Sequence, residues 1–116
     1  MSPRTTPDLL ILIAPGFDDP ARPGRRFFCP DCNQVEGVLA ANPGLADRIE
    51  VRRVPFPRPR DEVIGLLGEE NQSLPVLILG DSAPADAKVH AGRAFVNDTR
   101  RILELIAERH GVPFPH

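Results

Sequence analysis

Short blocks of hydrophobic residues, separated by polar and turn-forming residues, divide the chain into segments that predict strands and helices. The unbroken apolar run 9–14 has the length and pattern of a strand buried on both faces of a sheet. Residues 49–54 alternate well enough for a second strand, an apolar strand follows Leu74 and Pro75, and 93–96 form a short fourth strand. The pattern therefore predicts four strands.

Helical spacing of apolar residues, together with start and stop signals, predicts three helices. The first begins at Cys29 and stops at 42–44, and the second covers 59–68. The third has the clearest pattern, with Asn97 or Asp98 as its cap and a Gly-Val-Pro sequence after its end. The element order is strand, helix, strand, helix, strand, strand, helix, which indicates an α/β fold.

Residues 9–116 are predicted to form a single domain, because 116 residues suffice for one hydrophobic core but not for two. Two segments, 1–8 and 15–28, lie outside the predicted strands and helices. Residues 1–8 are predicted to be a flexible N-terminus. The connection at 15–28 is rich in Pro, Gly and Arg and leads directly into a cysteine pair. Long connections in compact domains often act as lids, so we expect this segment, called the flap below, to cover the pair.

The composition argues against several classes of function. The net charge is -2, no basic run is interleaved with aromatic residues, and only 5% of residues are aromatic, so no nucleic-acid partner is expected. The longest apolar run is far shorter than the roughly 20 residues of a membrane helix, and the N-terminus lacks the plan of a signal peptide. We therefore expect no membrane partner and a cytoplasmic location.

The chemistry of the chain concentrates in Cys29-Pro30-Asp31-Cys32, which contains both cysteines of the protein. Because proline is tolerated at the first helical position, we expect Cys29 as the N-cap and Cys32 one turn further on. At that spacing the two Cβ atoms are about 5–6 Å apart, close to the separation in a disulfide. The helix N-terminus and the preceding arginines favour a thiolate at Cys29, whereas Asp31 opposes it.

The cysteine pair allows more than one interpretation. In a reducing compartment a close pair is more often redox-active or metal-binding than a structural staple, although two thiols can also simply pack. A zinc site needs about four ligands, and only His90, His110 and His116 could join the cysteines, at no recognised spacing. We therefore expect no metal within one chain, while an ion shared between two chains stays open. His110 is more typical of a cation at a helix C-terminus than of a ligand.

The element order, the Cys-Pro-x-Cys motif at the start of the first helix, the Leu74-Pro75 pair before an apolar strand and the capped last helix together resemble the thioredoxin fold. As a whole, residues 9–116 look most like an uncharacterised bacterial family of thioredoxin-like proteins. The resemblance implies a central four-stranded mixed sheet flanked by helices, in the order βαβαββα. The motif also resembles that of glutaredoxins, and 74–110 resembles the N-terminal domain of glutathione transferases.

This resemblance implies roles for particular residues. It implies a cis proline at Pro75 and a Leu74 backbone that pairs with the substrate beside the cysteines. It also implies that Asp98 and Thr99 hold the γ-glutamyl end of glutathione, although both are equally suited to plain helix capping. Arg26 in the flap is a further candidate for substrate binding, with a solvated surface position as the alternative.

Our leading hypothesis is a thiol-disulfide oxidoreductase in which Cys29 attacks a disulfide and Cys32 resolves the intermediate. The expected partners are a protein disulfide or a low-molecular-weight disulfide, with glutathione as a candidate co-substrate and no bound cofactor. The alternative is a non-catalytic thioredoxin-like binding or scaffold module of unknown ligand, including a homodimer, whose cysteines are structural or hold a metal. A third hypothesis is glutathione binding without reduction.

Overall fold

The computed structural model describes residues 6–116, which form a mixed α/β fold with a five-stranded mixed sheet and three α-helices. The strands are β1 Leu9–Ile13, β2 Phe17–Asp18, β3 Arg26–Phe27, β4 Glu50–Val54, β5 Val76–Ile78, β6 Lys88–His90 and β7 Arg93–Val96. The helices are α1 Pro30–Ala41, α2 Asp61–Leu67 and α3 Thr99–His110, with a short 3₁₀ helix at Leu45–Asp47.

Of the predicted flexible N-terminus, 1–8, residues 1–5 lie outside the described part of the chain. At the other end of that segment, Asp8 is fully buried and bonded to the C-terminal turn of α3. The packed part of the chain therefore includes one residue before the predicted boundary at Leu9.

The sheet has the strand order β4-β1-β5-β7-β6. Strand β1 pairs in parallel with β4, which places Ile13 opposite Val54 at the end of both strands. The other neighbours are antiparallel: β1 with β5, β5 with β7, and β7 with β6. The apolar run predicted as a buried strand thus lies at an interior position of the sheet, with a parallel partner on one side and an antiparallel partner on the other.

The predicted number of strands is wrong. Strand β6, Lys88–His90, lies between the third and fourth predicted strands, in a segment where the sequence pattern predicts no strand. This strand is at the edge of the sheet and its side chains are exposed or half-buried, so no apolar alternation marks it in the sequence. Its conformation comes from backbone pairing with β7 alone.

The flap, 15–28, is also more regular than predicted. Its strands β2 and β3 pair as an antiparallel hairpin, with Phe17 opposite Phe27. The Phe17 ring stacks on Phe56 in the β4–α2 connection, with ring centroids 4.2 Å apart and an interplanar angle of 5°. The flap is therefore attached to the connection after β4 by an aromatic contact, which is worth about 0.5–1.5 kcal/mol beyond area burial.

The helices cover both faces of the sheet. On one face, Leu10 and Leu12 of β1 pack with buried residues of α1 and α3. On the other face, Ile11 packs with Val63 and Leu67 of α2. Successive residues of a strand point to opposite faces, so an unbroken apolar run is what a strand in the middle of three layers requires.

The helix ends follow their sequence signals with one exception. Asp98 caps α3, and Gly111 after its end adopts a left-handed conformation with φ of 74°, which glycine adopts without strain. The second helix begins at Asp61 rather than near Pro59, because Arg60 has a non-helical backbone and takes the cap position.

Candidate functional site

The two cysteines lie at the start of α1, and both are free thiols. Cys29 is the N-cap residue, its backbone is extended, and its Sγ accepts a hydrogen bond from the Cys32 backbone N–H at 3.2 Å. Pro30 occupies the first helical position, where its missing N–H has no partner to lose. The Cys29–Cys32 pair, called the dithiol below, therefore lies on one helix turn, as the sequence predicts.

The two sulfurs have different environments. Cys29 is half-buried, whereas Cys32 is 1% exposed and belongs to the core between the sheet and α1. The Cys32 Sγ accepts a hydrogen bond from the Ile13 N–H at 3.4 Å. Burial raises the pKa of Cys32 to about 12; the Ile13 N–H opposes this shift, while Cys29 and Asp31 add to it. At neutral pH, Cys32 is therefore a protonated thiol, and Cys29 is the sulfur nearer to solvent.

The strand registers place several predicted site residues at one end of the sheet. Ile13 ends β1 just before the flap, and its partner Val54 ends β4. Because β5 is antiparallel to β1, its start at Val76 lies near the same end, and the end of β7 at Val96 lies beside it. We call this the dithiol end of the sheet. Pro75 precedes β5 and therefore belongs to it.

Leu74 and Pro75 form a junction between the two halves of the core at the dithiol end. The peptide bond between them is cis, Pro75 is buried, and half-buried Leu74 packs against the apolar clusters on both faces of the sheet. The cis peptide bond is the one that the resemblance implies at Pro75. Their contact with a substrate stays a prediction.

Asp98 and Thr99 follow β7 and so begin α3 at the same end. The Asp98 Oδ2 accepts a hydrogen bond from the Arg101 N–H at 2.9 Å, which is the bond of a helix cap. Half-buried Thr99 is the first residue of the helix. An open depression of about 380 Å³ lies beside Asp98 and Lys88, but neither cysteine lines it. The structure thus shows the capping role, and the glutathione role stays a prediction.

Arg26 lies on β3 of the flap and is exposed. Its Nε donates a hydrogen bond to the Gly16 carbonyl at 3.0 Å, which ties the two sides of the hairpin. Arg26 also lines an open depression together with Phe28 and Asn33, the residues that flank the dithiol in sequence. It is therefore close to the motif, with part of its guanidinium engaged by the flap itself.

Arg60 is a residue of this end that the sequence did not identify. Its side chain is 8% exposed, although arginine is among the residues least often buried. Its Nε and Nη2 donate to the Phe56 carbonyl, and its Nη1 donates to the Gln72 carbonyl. A single arginine between a proline and a helix has no sequence signal for burial.

The opposite end of the sheet contains a second buried polar group, which we call the Asp8 cluster: Asp8, Arg109 and His110. The Asp8 carboxylate accepts two hydrogen bonds from Arg109, at 2.7 and 2.8 Å, and contacts the His110 ring at 2.8 Å. It also accepts a hydrogen bond from the Gly80 N–H. His110, which was expected as a cation at a helix end, is thus buried against a carboxylate.

Metal and membrane features are absent from the described residues. Within residues 6–116, no three His, Cys, Asp or Glu side chains are grouped in a way that could hold a metal ion. Each α-helix in that range is too short or too polar to span a bilayer.

Comparison with known proteins identifies a family without an assigned activity. A family model described as "Protein of unknown function (DUF3088)" matches residues 7–114. No curated protein and no solved structure matches the chain. The expectation of an uncharacterised family is confirmed, and the activity has to be argued from the site.

Proposed function

This chain belongs to the DUF3088 family of proteins of unknown function, and we propose that it is a thiol-disulfide oxidoreductase that works through the dithiol. The observation that carries the proposal is the asymmetry of the two sulfurs. Cys29 is half-buried at the N-terminus of α1, while Cys32 is buried and protonated one turn away. An exposed nucleophile with a protected partner is the arrangement that two-step exchange requires.

We also propose that the fold is thioredoxin-like in its topology. Three features support this: the parallel unit formed by β1, α1 and β4, the four-strand order β4-β1-β5-β7, and the position of Pro75 before β5. The hairpin of the flap and the edge strand β6 are additions to that arrangement. In this topology the dithiol, Pro75 and the start of α3 share one end of the sheet.

The proposed reaction transfers two electrons in two steps. The Cys29 thiolate attacks one sulfur of a substrate disulfide, a Cys29–substrate disulfide forms, and the second substrate sulfur leaves with the electron pair of the broken bond. That departing thiolate takes up the proton that Cys32 loses. The Cys32 thiolate then attacks the Cys29 Sγ, the internal disulfide forms, and the remaining substrate thiolate leaves and is protonated by water.

The burial of Cys32 gives the order of these steps a physical reason. A thiol with a pKa of about 12 is a poor first nucleophile at neutral pH, so Cys29 has to react first. Once Cys29 carries a substrate, Cys32 is one helical turn away and its attack is intramolecular, which compensates for the small thiolate fraction.

The test is reduction of three disulfides by added dithiothreitol, which also returns the dithiol to its reduced form, in the presence of the purified protein: glutathione disulfide, a glutathione mixed disulfide of a small thiol, and a protein disulfide. Wild type is expected to accelerate at least one of them over the uncatalysed rate. Cys29→Ser should not, and Cys32→Ser should accumulate a mixed disulfide that is visible in the intact mass. If wild type accelerates none of the three while remaining folded and reduced, the proposal is wrong.

The alternative is a non-catalytic binding or scaffold module, and one observation favours it. The Cys32 sulfur is a packed member of the core and accepts the Ile13 N–H, which a purely structural thiol would also do. Intact mass and thiol titration after mild oxidation separate the two proposals. Loss of two hydrogens without dimerisation supports the oxidoreductase, whereas zinc bound to the purified protein or a cysteine-linked dimer supports the module.

A further inference from the structure

An apolar depression lies on the flap, next to the dithiol. Phe28, the residue before Cys29, is 54% exposed, although it is a large hydrophobic residue. It lines an open depression of about 600 Å³ together with Phe27, Pro15 and Gly16. Contiguous apolar surface of this kind, rather than a single exposed side chain, is typical of a binding surface. We call this the flap depression.

The flap depression adjoins the cysteine that reacts first in the proposed function. Phe28 is joined to Cys29 by one peptide bond, so their Cα atoms are no more than about 3.8 Å apart. Asn33, which also lines the depression, donates its backbone N–H to the Cys29 carbonyl at 2.9 Å. A covalent link and a hydrogen bond therefore place two lining residues directly against Cys29.

The charged residues that line the flap depression leave one positive charge over. Arg53 and Glu36 pair with each other, through two hydrogen bonds of 2.8 and 2.7 Å. Arg26 is exposed, and its Nε donates to the Gly16 carbonyl, but among residues 6–116 it forms no ion pair with Asp or Glu. The depression therefore combines an apolar lining with a cation that is open to a carboxylate.

Contacts within the fold hold this surface in one position. The Gly16 N–H donates to the Phe27 carbonyl at 2.8 Å, which closes the hairpin beside the depression. The adjacent Phe17 stacks on Phe56, and the Phe56 carbonyl accepts hydrogen bonds from the buried Arg60 at 3.0 and 2.7 Å. A surface that is ordered in advance loses less conformational entropy when a partner binds to it.

We propose that the flap depression is the docking surface for a polypeptide substrate that presents a hydrophobic side chain and an acidic side chain beside its disulfide. Phe28 packs against the hydrophobic side chain, and Arg26 attracts the carboxylate. Glutathione supplies carboxylates but no hydrophobic side chain, so it leaves the apolar lining uncovered. The inference deepens the proposed function, on which it rests for the disulfide in the partner, and it favours a protein disulfide over glutathione.

Binding of peptides that contain no cysteine tests the inference apart from any redox chemistry. Reduced wild-type protein is titrated into short fluorescent peptides, and their anisotropy is measured. The first peptide carries Phe flanked by Glu, the second has Lys in place of Glu, and the third has Ser in place of Phe. The first should bind about tenfold more tightly than the third and about threefold more tightly than the second at low salt. Equal binding of the three, or no saturable binding of the first up to millimolar protein, would overturn the inference.

Matched variants assign the binding to the flap depression. Phe28→Ser should weaken binding of the first peptide about tenfold, whereas Phe114→Ser removes an exposed ring that does not line the depression and should have little effect. Arg26→Glu should reverse the preference between the Glu and Lys peptides, which a loss of structure cannot do. Arg25→Glu alters an exposed neighbour outside the depression and should change the preference less. Equal effects within either pair of variants would contradict the inference.

Competition and turnover keep the inference distinct from the proposed function. Millimolar glutathione should displace the first peptide no more than sodium chloride of equal ionic strength does, and stronger displacement would overturn the choice of a polypeptide. In the dithiothreitol assay, a disulfide built on the first peptide should show a lower KM than one built on the second. If the peptide binds as expected and no disulfide is reduced, the proposed function fails and the docking surface stands. If both peptide disulfides are reduced with equal KM, the docking surface fails and the proposed function stands.

Discussion

An arginine is buried near each end of strand β1, and its charge is accommodated differently at the two ends. At the Asp8 end, Arg109 faces a carboxylate that also accepts a bond from Gly80 and contacts His110. At the dithiol end, Arg60 donates to the backbone carbonyls of Phe56 and Gln72. Among the described residues, the charge of Arg109 is paired with a carboxylate, whereas the charge of Arg60 is held by neutral carbonyl groups.

The pairing of charges within the Asp8 cluster indicates a structural role for that end of the sheet. Burial alone would raise the pKa of Asp8. Hydrogen bonds from Arg109, the Gly80 N–H and His110 lower the pKa by more than burial raises it, so the net shift is downward. The Asp8 carboxylate is therefore ionised at neutral pH, and the Asp8 cluster stabilises the fold in that state.

The largest expected effect comes from breaking the matched end. Asp8→Asn leaves the Arg109 guanidinium buried without its counter-charge and should lower the free energy of unfolding at pH 7 by about 3–5 kcal/mol in urea titration. The matched control is Asp86→Asn, because the exposed Asp86 pairs with Arg101 at the surface, where solvent screens the pair, and the loss should be much smaller. Equal losses in the two variants would contradict a structural role for the Asp8 cluster.

Acid sharpens this test. Because the pKa of Asp8 is lower in the folded protein than its ordinary value of 3.8, its stabilisation is complete above that value and is lost as the pH falls through the folded pKa. The difference in unfolding free energy between wild type and Asp8→Asn should therefore narrow below about pH 4. A difference that stays constant down to the lowest pH at which wild type is folded would show that ionisation of Asp8 is not its source.

An intermediate effect is expected where the backbone approaches itself near the Asp8 cluster. A Cβ at Gly80 would lie 2.0 Å from the Thr6 carbonyl oxygen and 2.7 Å from that of Pro7, so Gly80→Ala has to displace the chain beside Asp8. We expect a loss of about 1–3 kcal/mol of unfolding free energy in urea titration. Gly37→Ala is the control, because a Cβ there meets no atom within 4 Å, and it should gain about 0.5–1 kcal/mol as a helix-interior alanine.

Both glycine variants should leave the rate at which iodoacetamide alkylates Cys29 unchanged, because neither substitution alters a residue at the dithiol end. A changed alkylation rate in folded Gly80→Ala would show that the two ends of the sheet are coupled. That result would contradict separate roles for the Asp8 cluster and the dithiol end of the sheet.

The smallest effect concerns Asp98, the residue that caps α3 at the dithiol end. Asp98→Ala removes the cap of α3 and should cost about 1 kcal/mol in urea titration, whereas Asp98→Ser keeps a cap of similar quality. If Asp98 only caps the helix, Asp98→Ser should reduce glutathione mixed disulfides with wild-type kinetics. A raised KM with unchanged kcat in Asp98→Ser would instead assign Asp98 to binding of the glutathione ammonium group.

The sequence predicted most of the fold where its signal was local. Helix α3 begins after its predicted cap residue, buries one apolar face and ends before Gly111, as its sequence pattern predicts. Strand β1 lies within its unbroken apolar run. The edge strand β6 was missed because its pairing is a backbone interaction with no side-chain pattern. The hairpin of the flap was missed because its turns and short strands have the composition of a loop.

The candidate site divides in the same way. The Cys29–Cys32 spacing, with Pro30 at the helix start, determined by itself that two thiols share one helix turn, because that geometry depends on four consecutive residues. Only the tertiary structure decided that Arg60 donates to the Gln72 carbonyl in the interior and that Asp8 pairs with Arg109. Those partners are 12 and 101 residues apart along the chain, and a lone charged residue carries no periodic signal that distinguishes the interior from the surface.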